Sequence, residues 1–463
     1  MKGTKQNGKV DGALKGHEKG ENGYNLARHL LAQVVIGTVF MNLAMNDTEL
    51  AQLAMKRIEE LGRISEETGR LTRTFGSPAM RKANGVVAGW MREAGMTVSE
   101  DAIGNLTGRY EGNDETGKTF ILGSHLDTVR DAGKYDGPLG VVAGIACVQH
   151  LNEQKKRLPF AVEVMSFADE EGVRYQTTYL GSKVVAGKFN EKDLKKTDAK
   201  GVTLADAIKA FGGNPDKLKE SKRNAEELLG YAELHIEQGP VLERKYQPIG
   251  VVSAIAGQTR IKARFAGLAG HAGTTPMAMR HDALVAAAQF VMGVETSTRL
   301  YADLLATVGQ IEARPGVSNV IPGEVLLTVD VRHQMDSVRA AACDRLQQTA
   351  NHAGESRGVA VEWEVAHEAQ SVQCSRELTD TLAKAARQHL VDVMELVSGA
   401  GHDAAIMGEI TPAAMLFVRC KGGISHHPDE WASVDDVEVA VAVMNDFLLL
   451  MANQQNVPRK KKV

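Results

Sequence analysis

Residues 119–151 constrain the chain more than any other stretch. A short apolar run, 119–122, reads as a buried strand. It leads into GSHLDTVRDAGKYDGPLG, residues 123–140, and then into an apolar, helix-like run over 141–151. Strand, Gly/Pro-rich loop and helix in that order make an α/β unit. On extended backbone His125 and Asp127 point the same way. Asp136 follows nine residues later, in the loop. One histidine and two aspartates at a strand-to-helix loop form a donor set suited to a divalent ion. A single His–Asp pair is more often a satisfied core histidine beside solvated acids, so the assignment depends on the rest of the chain.

The same alternation runs through the flanking sequence. Helices are predicted over 47–68, 77–95 and 141–152, a strand pair over 96–110 around Gly104-Asn105, and a strand over 161–168. That order implies α/β architecture with a mostly parallel mixed sheet. Near 252–256 the pattern changes. Strand 258–265, helix 282–298, strands 304–311 and 325–331, helix 337–353 and strand 359–365 give βαββαβ. Such an order makes a ferredoxin-like four-stranded sheet with two helices on one face. Helix 377–389 and strand 415–418 then resume the first pattern. The predicted organisation is an extension (1–46), a catalytic domain in two parts (47–252 and 367–456), an inserted domain (253–366) and a basic tail (457–463). The charged segment 183–227 is expected to form surface helices, with a turn at 211–215, and carries no chemistry that can be named.

Composition narrows the function classes. The 463 residues suit two or three domains, and a net charge of −4 lacks the basic excess of nucleic-acid binders. The longest apolar stretch, 30–45, is interrupted by Gln, Thr and Asn and is too short for a membrane span. Cys147, Cys343, Cys374 and Cys420 lie far apart without a CxxC, which excludes a disulfide framework or zinc ribbon and fits a reducing, cytoplasmic setting.

Further chemistry sits at other strand ends. Strand 161–168 runs into Asp169-Glu170-Glu171-Gly172. Adjacent side chains diverge, so one glutamate can hold metal while the other takes a proton. In ELHIEQGP (233–240) His235 is a candidate ligand and Gln238 a candidate hydrogen-bonding residue; GISHHP (423–428) offers another histidine after a strand. Within 253–366, His271 lies in GHAGTTP, Asn319 in GVSNVIPG, and Arg332 follows a strand. A guanidinium there suits a substrate carboxylate, or simply pairs with Asp336 or Glu324. His402-Asp403, in SGAGHDA, precedes a helix and can bind an anion or orient a neighbour. GNDETGKT (112–119) matches the P-loop letter for letter, yet the chain continues as strand and places Asp114 and Glu115 where phosphate would sit. It is read as a hairpin turn.

The motifs GSHLDTV, YDGPLGV, ADEEGVRY, LHIEQGPVLE, GHAGTTPM, GVSNVIPG, SGAGHDA and GISHHPDEW, in this order over residues 47–453, resemble a di-metal amidohydrolase family. Its members are allantoate amidohydrolases, N-carbamoyl-L-amino-acid hydrolases and β-ureidopropionases, within the wider aminoacylase/carboxypeptidase-like clan. The resemblance implies that His125 and His235 bind one ion, Glu171 and His426 the other, and that Asp136 bridges them. It implies Glu170 as general base, Asp127 as the residue orienting His125, and Gln238, His271, Asn319, Arg332 and His402 as substrate contacts. His427 takes the variable position before Pro428. Two divalent ions (zinc, manganese, nickel or cobalt) and a homodimer built through the inserted domain are implied, with that domain acting also as a lid. The substrate expected is allantoate, giving ureidoglycine, ammonia and carbon dioxide, as in allantoin degradation. An N-carbamoyl amino acid comes next, and peptidase, deacylase or non-catalytic scaffold roles rank lower.

Overall fold

Two sheets organise residues 44–113, 117–389 and 392–455, the parts of the chain that the computed structural model describes. The predicted tail and nearly all of the predicted extension lie outside these residues. In chain order the strands are β1 (Thr97–Glu100), β2 (Leu106–Tyr110), β3 (Thr119–His125), β4 (Ala161–Phe167), β5 (Leu228–Ile236), β6 (Ile249–Ile255), β7 (Gly257–Ala266), β8 (Gly270–His271), β9 (Leu305–Arg314), β10 (Val320–Ile321), β11 (Glu324–His333), β12 (Ala360–Ala369), β13 (Val372–Gln373), β14 (Glu395–Ser398) and β15 (Ala413–Val418).

The larger sheet runs β1-β2-β4-β3-β5-β15-β6-β13, with β14 also paired to β6. At its centre β4, β3, β5 and β15 are parallel neighbours, while β2 and β6 join antiparallel on either side. Every residue of β3, β4 and β15 is buried, as expected of parallel strands covered on both faces. Successive side chains go to opposite faces. Phe120 and Leu122 pack with Ile145, Val148 and Phe447 on one side, and Ile121 packs with Met165, Tyr231 and Phe417 on the other. The helix Pro138–Glu153 is apolar almost all round because it is sandwiched between β3 and the helices Asp47–Leu61 and Val434–Gln455.

This topology positions the chemistry. Parallel strands all end on the same edge of a sheet, and open α/β sheets build their sites there. β3 ends at His125, β4 runs into 169–171, β5 carries His235 near its end, and β15 leads to the loop with His426.

The second sheet runs β12-β7-β11-β9, antiparallel throughout. Helices Ala283–Thr298 and Asp336–Glu355 pack on it, and the Asp282 side chain caps the first by accepting the N–H of Leu284 and Val285. Ile261, Ala263 and Phe265 of β7 and Val325, Leu327, Val329 and Val331 of β11 face those helices in strict alternation. β8 and β10 form a separate short ribbon.

Three expectations need correction. The first helix ends at Leu61 rather than near residue 68. Arg73, fully buried, draws its C-terminal carbonyls inward: Nη1 donates to Leu61 O (2.9 Å) and Ile64 O (3.1 Å), and Nε to Leu126 O (2.6 Å). Residues 112–119 are not a hairpin turn, because β4 lies between β2 and β3; residues 114–116 lie outside the described part. Segment 183–227 is not only surface, since Leu204, Ile208, Phe211 and Leu218 build a small core with Phe75, Ile103 and Tyr175. Among the described residues no helix is long and apolar enough to cross a membrane.

Candidate metal centre

The strand ends converge on one carboxylate. Asp136 Oδ1 lies 3.6 Å from His125 Nε2 and 3.3 Å from His235 Nε2. Its Oδ2 lies 3.4 Å from His426 Nε2, which is in turn 3.5 Å from Glu171 Oε1. Two donors each about 2.1 Å from a tetrahedral ion lie about 3.4 Å apart. These separations therefore fit two triads of ion ligands, His125–Asp136–His235 and Asp136–Glu171–His426, which share the two oxygens of Asp136. His235 Nε2 is buried, faces Asp136 and is aligned in no hydrogen bond, where an ion would take the place of its proton.

The ligands are aimed from behind. His125 Nδ1 lies 3.0 Å from Asp127 O and His235 Nδ1 lies 3.0 Å from Ile236 O, so each Nδ1–H donates to a backbone carbonyl and Nε2 is left toward the centre. Gly137 has φ +82°, and a Cβ there would run into the His125 ring. Glycine therefore serves both the turn into the helix and the close approach of the ring.

The charges are unbalanced. Burial raises the Glu170 pKa well above the usual carboxylate range, helped by Glu171, Asp403, Asp127 and Asp136. Burial and Asp136 push Glu171 up to about 8. Burial would also raise Asp136, but His235, His426 and His125 outweigh it and hold that carboxyl well below its ordinary value. Burial would lower His235, yet Asp136 and Glu233 carry it up to about 9; hydrogen bonding to Asp136 likewise raises His426 to about 9. Divalent cations would supply the positive charge that such a cluster lacks.

Of the expected site residues, His125, Asp127, Asp136, Glu170, Glu171, His235, Gln238, His402 and His426 are brought together. Glu170 Oε2 lies 4.0 Å from His125 Nε2, beside the triads. The Asp127 carboxylate is 3.7 Å from His125 Nδ1; its hydrogen bonds come instead from the N–H groups of Glu170 (3.2 Å) and Glu171 (3.1 Å). It holds the glutamate pair, and its backbone carbonyl holds the histidine. Gln238, expected at the substrate, donates to Asp136 Oδ2 at 2.6 Å. His402 is buried with its ring 4.5 Å from that of His235 and its Nε2 2.9 Å from Ser398 Oγ.

Arg332 pairs with neither Asp336 nor Glu324. Its Nε and Nη2 donate to Asp330 (2.8 and 3.2 Å), two residues earlier on the same face of β11, and Nη1 donates to Gly399 O (2.6 Å). Its fork is thus largely turned to Asp330, while it ties the second sheet to the loop before His402. His271 and Asn319 are exposed at the β8–β10 ribbon, where Ala272 N–H donates to Asn319 O. Within the structure they make no hydrogen bond to the triads.

Several residues escaped the sequence reading. Glu233 is buried and accepts from Ser124 Oγ (3.0 Å), Tyr231 OH (2.9 Å) and Ala404 N–H (2.9 Å). Glu430 accepts the N–H groups of Tyr135 and Asp136. Tyr179 has left-handed backbone (φ 61°), donates its N–H to Glu170 O, and places its hydroxyl where a Cβ at Gly401 would lie. A signal existed for Glu233: Tyr231, Glu233 and His235 alternate onto one face of a buried strand.

The sequence profile of Peptidase family M20/M25/M40 matches residues 121–450. A probable allantoate deiminase of Oryza sativa subsp. japonica is 41% identical over 425 residues, covering 85% of this chain and 87% of that one. An N-carbamoyl-L-amino-acid amidohydrolase of Pseudomonas sp. (strain NS671) is 40% identical over 397 residues, covering 85% and 96%. Among solved structures, an amidase of the hydantoinase/carbamoylase family from Burkholderia multivorans superposes with a TM-score of 0.82 at 31% identity, over 87% of this chain and 98% of that one.

Proposed function

The chain belongs to Peptidase family M20/M25/M40, and from that premise we propose that it hydrolyses a ureido carbon–nitrogen bond, with allantoate as substrate. The observation that carries the reading is Asp136 set between two ligand triads with Glu170 at their side. His125, His235 and Asp136 would hold one divalent ion, and Asp136, Glu171 and His426 the other. Bound there, the ions supply Lewis acidity and lower the pKa of water. An all-nitrogen-and-oxygen donor set suits zinc, manganese, nickel or cobalt.

The chain's own residues then do the proton work. Glu170 takes a proton from the attacking water as its oxygen bonds to the ureido carbon. It returns that proton to the nitrogen as the carbon–nitrogen bond breaks. Burial raises the Glu170 pKa above the usual carboxylate range, which makes its carboxylate the better proton acceptor. The carbamate so formed decomposes to ammonia and carbon dioxide. Residues 253–366 would serve as an inserted lid and dimerisation domain. The exposed ribbon with His271 and Asn319 would reach the substrate when that domain closes, or serve a second copy, and Arg332 would use its remaining donors on the substrate carboxylate.

Allantoate is favoured by the rice relative's name and identity. An N-carbamoyl-L-amino acid is the second reading, favoured by the Pseudomonas relative, of which 96% is covered. Ammonia release from metal-stripped protein reloaded with manganese or zinc distinguishes them, with allantoate, N-carbamoyl-β-alanine and an N-carbamoyl-L-amino acid compared side by side. Glu170→Gln should abolish most turnover while both ions stay bound. No release from any substrate with two ions bound would overturn the reading.

A further inference from the structure

We propose that Glu430 is a positioning residue that locks the loop of His426 to the loop of Asp136 and thereby sets how tightly the ions are held; the inference rests on the two-ion reading above. The loops are far apart in sequence, yet one carboxylate spans them. Glu430 Oε1 accepts the N–H of Tyr135 at 2.7 Å and of Asp136 at 3.0 Å. Its Oε2 lies 3.1 Å from Ser425 Oγ, which is 2.5 Å from Asp136 Oδ2. Glu430 N–H donates to His427 O, closing a turn over 427–430, and the side-chain contact with Ser425 brackets His426 within the same loop. The fit is close: a Cβ on Gly133 would overlap the Glu430 side chain.

His426 needs such help more than the other histidines do. His125 and His235 are packed in the interior, at 2% and 1% exposure, whereas the His426 side chain is 48% exposed and its backbone is left-handed (φ 57°). Core packing therefore fixes two ligands and leaves the third to hydrogen bonds. Glu430 reaches both partners of the His426–Asp136 contact, one through backbone donors and one through Ser425.

The hydrogen count separates a specific role from a generic one. The Ser425 hydroxyl has one proton and faces two carboxylates, Asp136 and Glu430. Glutamine at 430 keeps Oε1 for the two backbone N–H groups, and its Nε2 can donate to Ser425 Oγ, releasing the hydroxyl proton wholly to Asp136. Glu430→Gln should thus preserve the frame. Glu430→Ala removes it, and Glu430→Asp, one methylene short, cannot span the two loops.

The test is metal affinity, independent of turnover. Wild type and the three variants are stripped with chelator and titrated with Mn²⁺ or Zn²⁺ alone, followed by calorimetry and elemental analysis. Melting curves of the metal-free proteins show whether each variant folds. Wild type and Glu430→Gln should bind two ions with affinities within about threefold of each other. Glu430→Ala and Glu430→Asp should lose at least tenfold in affinity for one or both ions. The aspartate variant should keep a metal-free melting temperature close to that of wild type. Two ions bound by Glu430→Asp as tightly as by wild type would overturn the inference. Failure of wild type to bind any ion would instead overturn the two-ion reading beneath it.

Discussion

Asp127→Asn removes an acceptor from a place that needs two. The Asp127 side chain is 1% exposed, and its two oxygens accept from consecutive amides, Glu170 N–H at 3.2 Å and Glu171 N–H at 3.1 Å. Asparagine has nearly the same shape but one carbonyl oxygen, so in either flip one backbone N–H faces an NH₂ group. Hydrogen bonds to a charged acceptor contribute roughly 1.5–3 kcal/mol, and a buried donor left unmade costs roughly 1–3 kcal/mol. Partial relaxation of the loop leaves a loss of about 2–4 kcal/mol. For 463 residues the unfolding entropy is about 1 kcal/mol per kelvin, so the melting temperature should fall by about 2–4 °C. The effect on turnover should be far larger. The backbone of both glutamates shifts, and displacement of a general base by about 1 Å costs roughly 100-fold. The ion held by Glu171 and His426 should loosen, while the one held by His125 and His235 should remain. Ammonia-release kinetics, elemental analysis and a thermal melt on one preparation check all three outcomes. Turnover within threefold of wild type, with two ions bound as tightly, would refute the assignment of Asp127 as the holder of the glutamate pair.

Two further outcomes follow from the same geometry. In metal-free protein His235, raised from 6.5 to about 9 by Asp136 and Glu233 against the pull of burial, stabilises the fold fully below pH 6.5. That contribution, about 3 kcal/mol, is lost as pH climbs through 9, while metal-loaded protein, whose ligand imidazoles are already neutral, escapes it. Melting temperatures of stripped and loaded protein should therefore diverge from pH 6.5 to 9 by about 3 °C or more; stripped protein that gains stability over this window would contradict the sign. Gly137→Ala places a Cβ against the His125 ring on a backbone with φ +82°, adding about 1–2 kcal/mol of backbone strain. It should abolish the ion held by His125 and His235, with activity below about 1% of wild type, as read by elemental analysis alongside circular dichroism.

What sequence reading recovers here depends on how far apart the cooperating residues lie. His125, Asp136, Glu171, His235 and His426 each sit in a short motif at a strand end, and parallel strands bring their ends to one edge, so local patterns are enough to assemble them. The βαββαβ order of the second sheet was equally legible, because β7, β11 and the two helices each bury an apolar stripe. Directions of side chains were not. Gln238 turns to Asp136 and Arg332 to Asp330, choices made by partners that residue type alone does not reveal. The Asp330–Arg332 pairing is an i, i+2 relation on one strand face and could have been read from alternation. Glu430 could not, since its partners Tyr135 and Asp136 lie nearly 300 residues away.

One physical demand explains why the supporting residues are of the kinds they are. Under the two-ion reading, histidines and carboxylates must be held in place without adding positive charge that would repel the cations. The supports meet that demand with neutral dipoles or negative groups: the carbonyls of Asp127 and Ile236 behind two imidazoles, and the carboxylates of Asp127 and Glu430 holding backbone N–H groups. Among the described residues no lysine or arginine pairs with His125, Asp136, Glu171, His235 or His426. A lysine behind Asp136 would hold that carboxylate at least as firmly as Glu430 holds its amide. It would also take the charge the ions are needed to supply. Support through backbone dipoles keeps the field at the ligands negative, and carboxylate anchors strengthen it. The carbonyl supports are local to their histidines, whereas the carboxylate supports are written in contacts between chain segments, where no local motif records them.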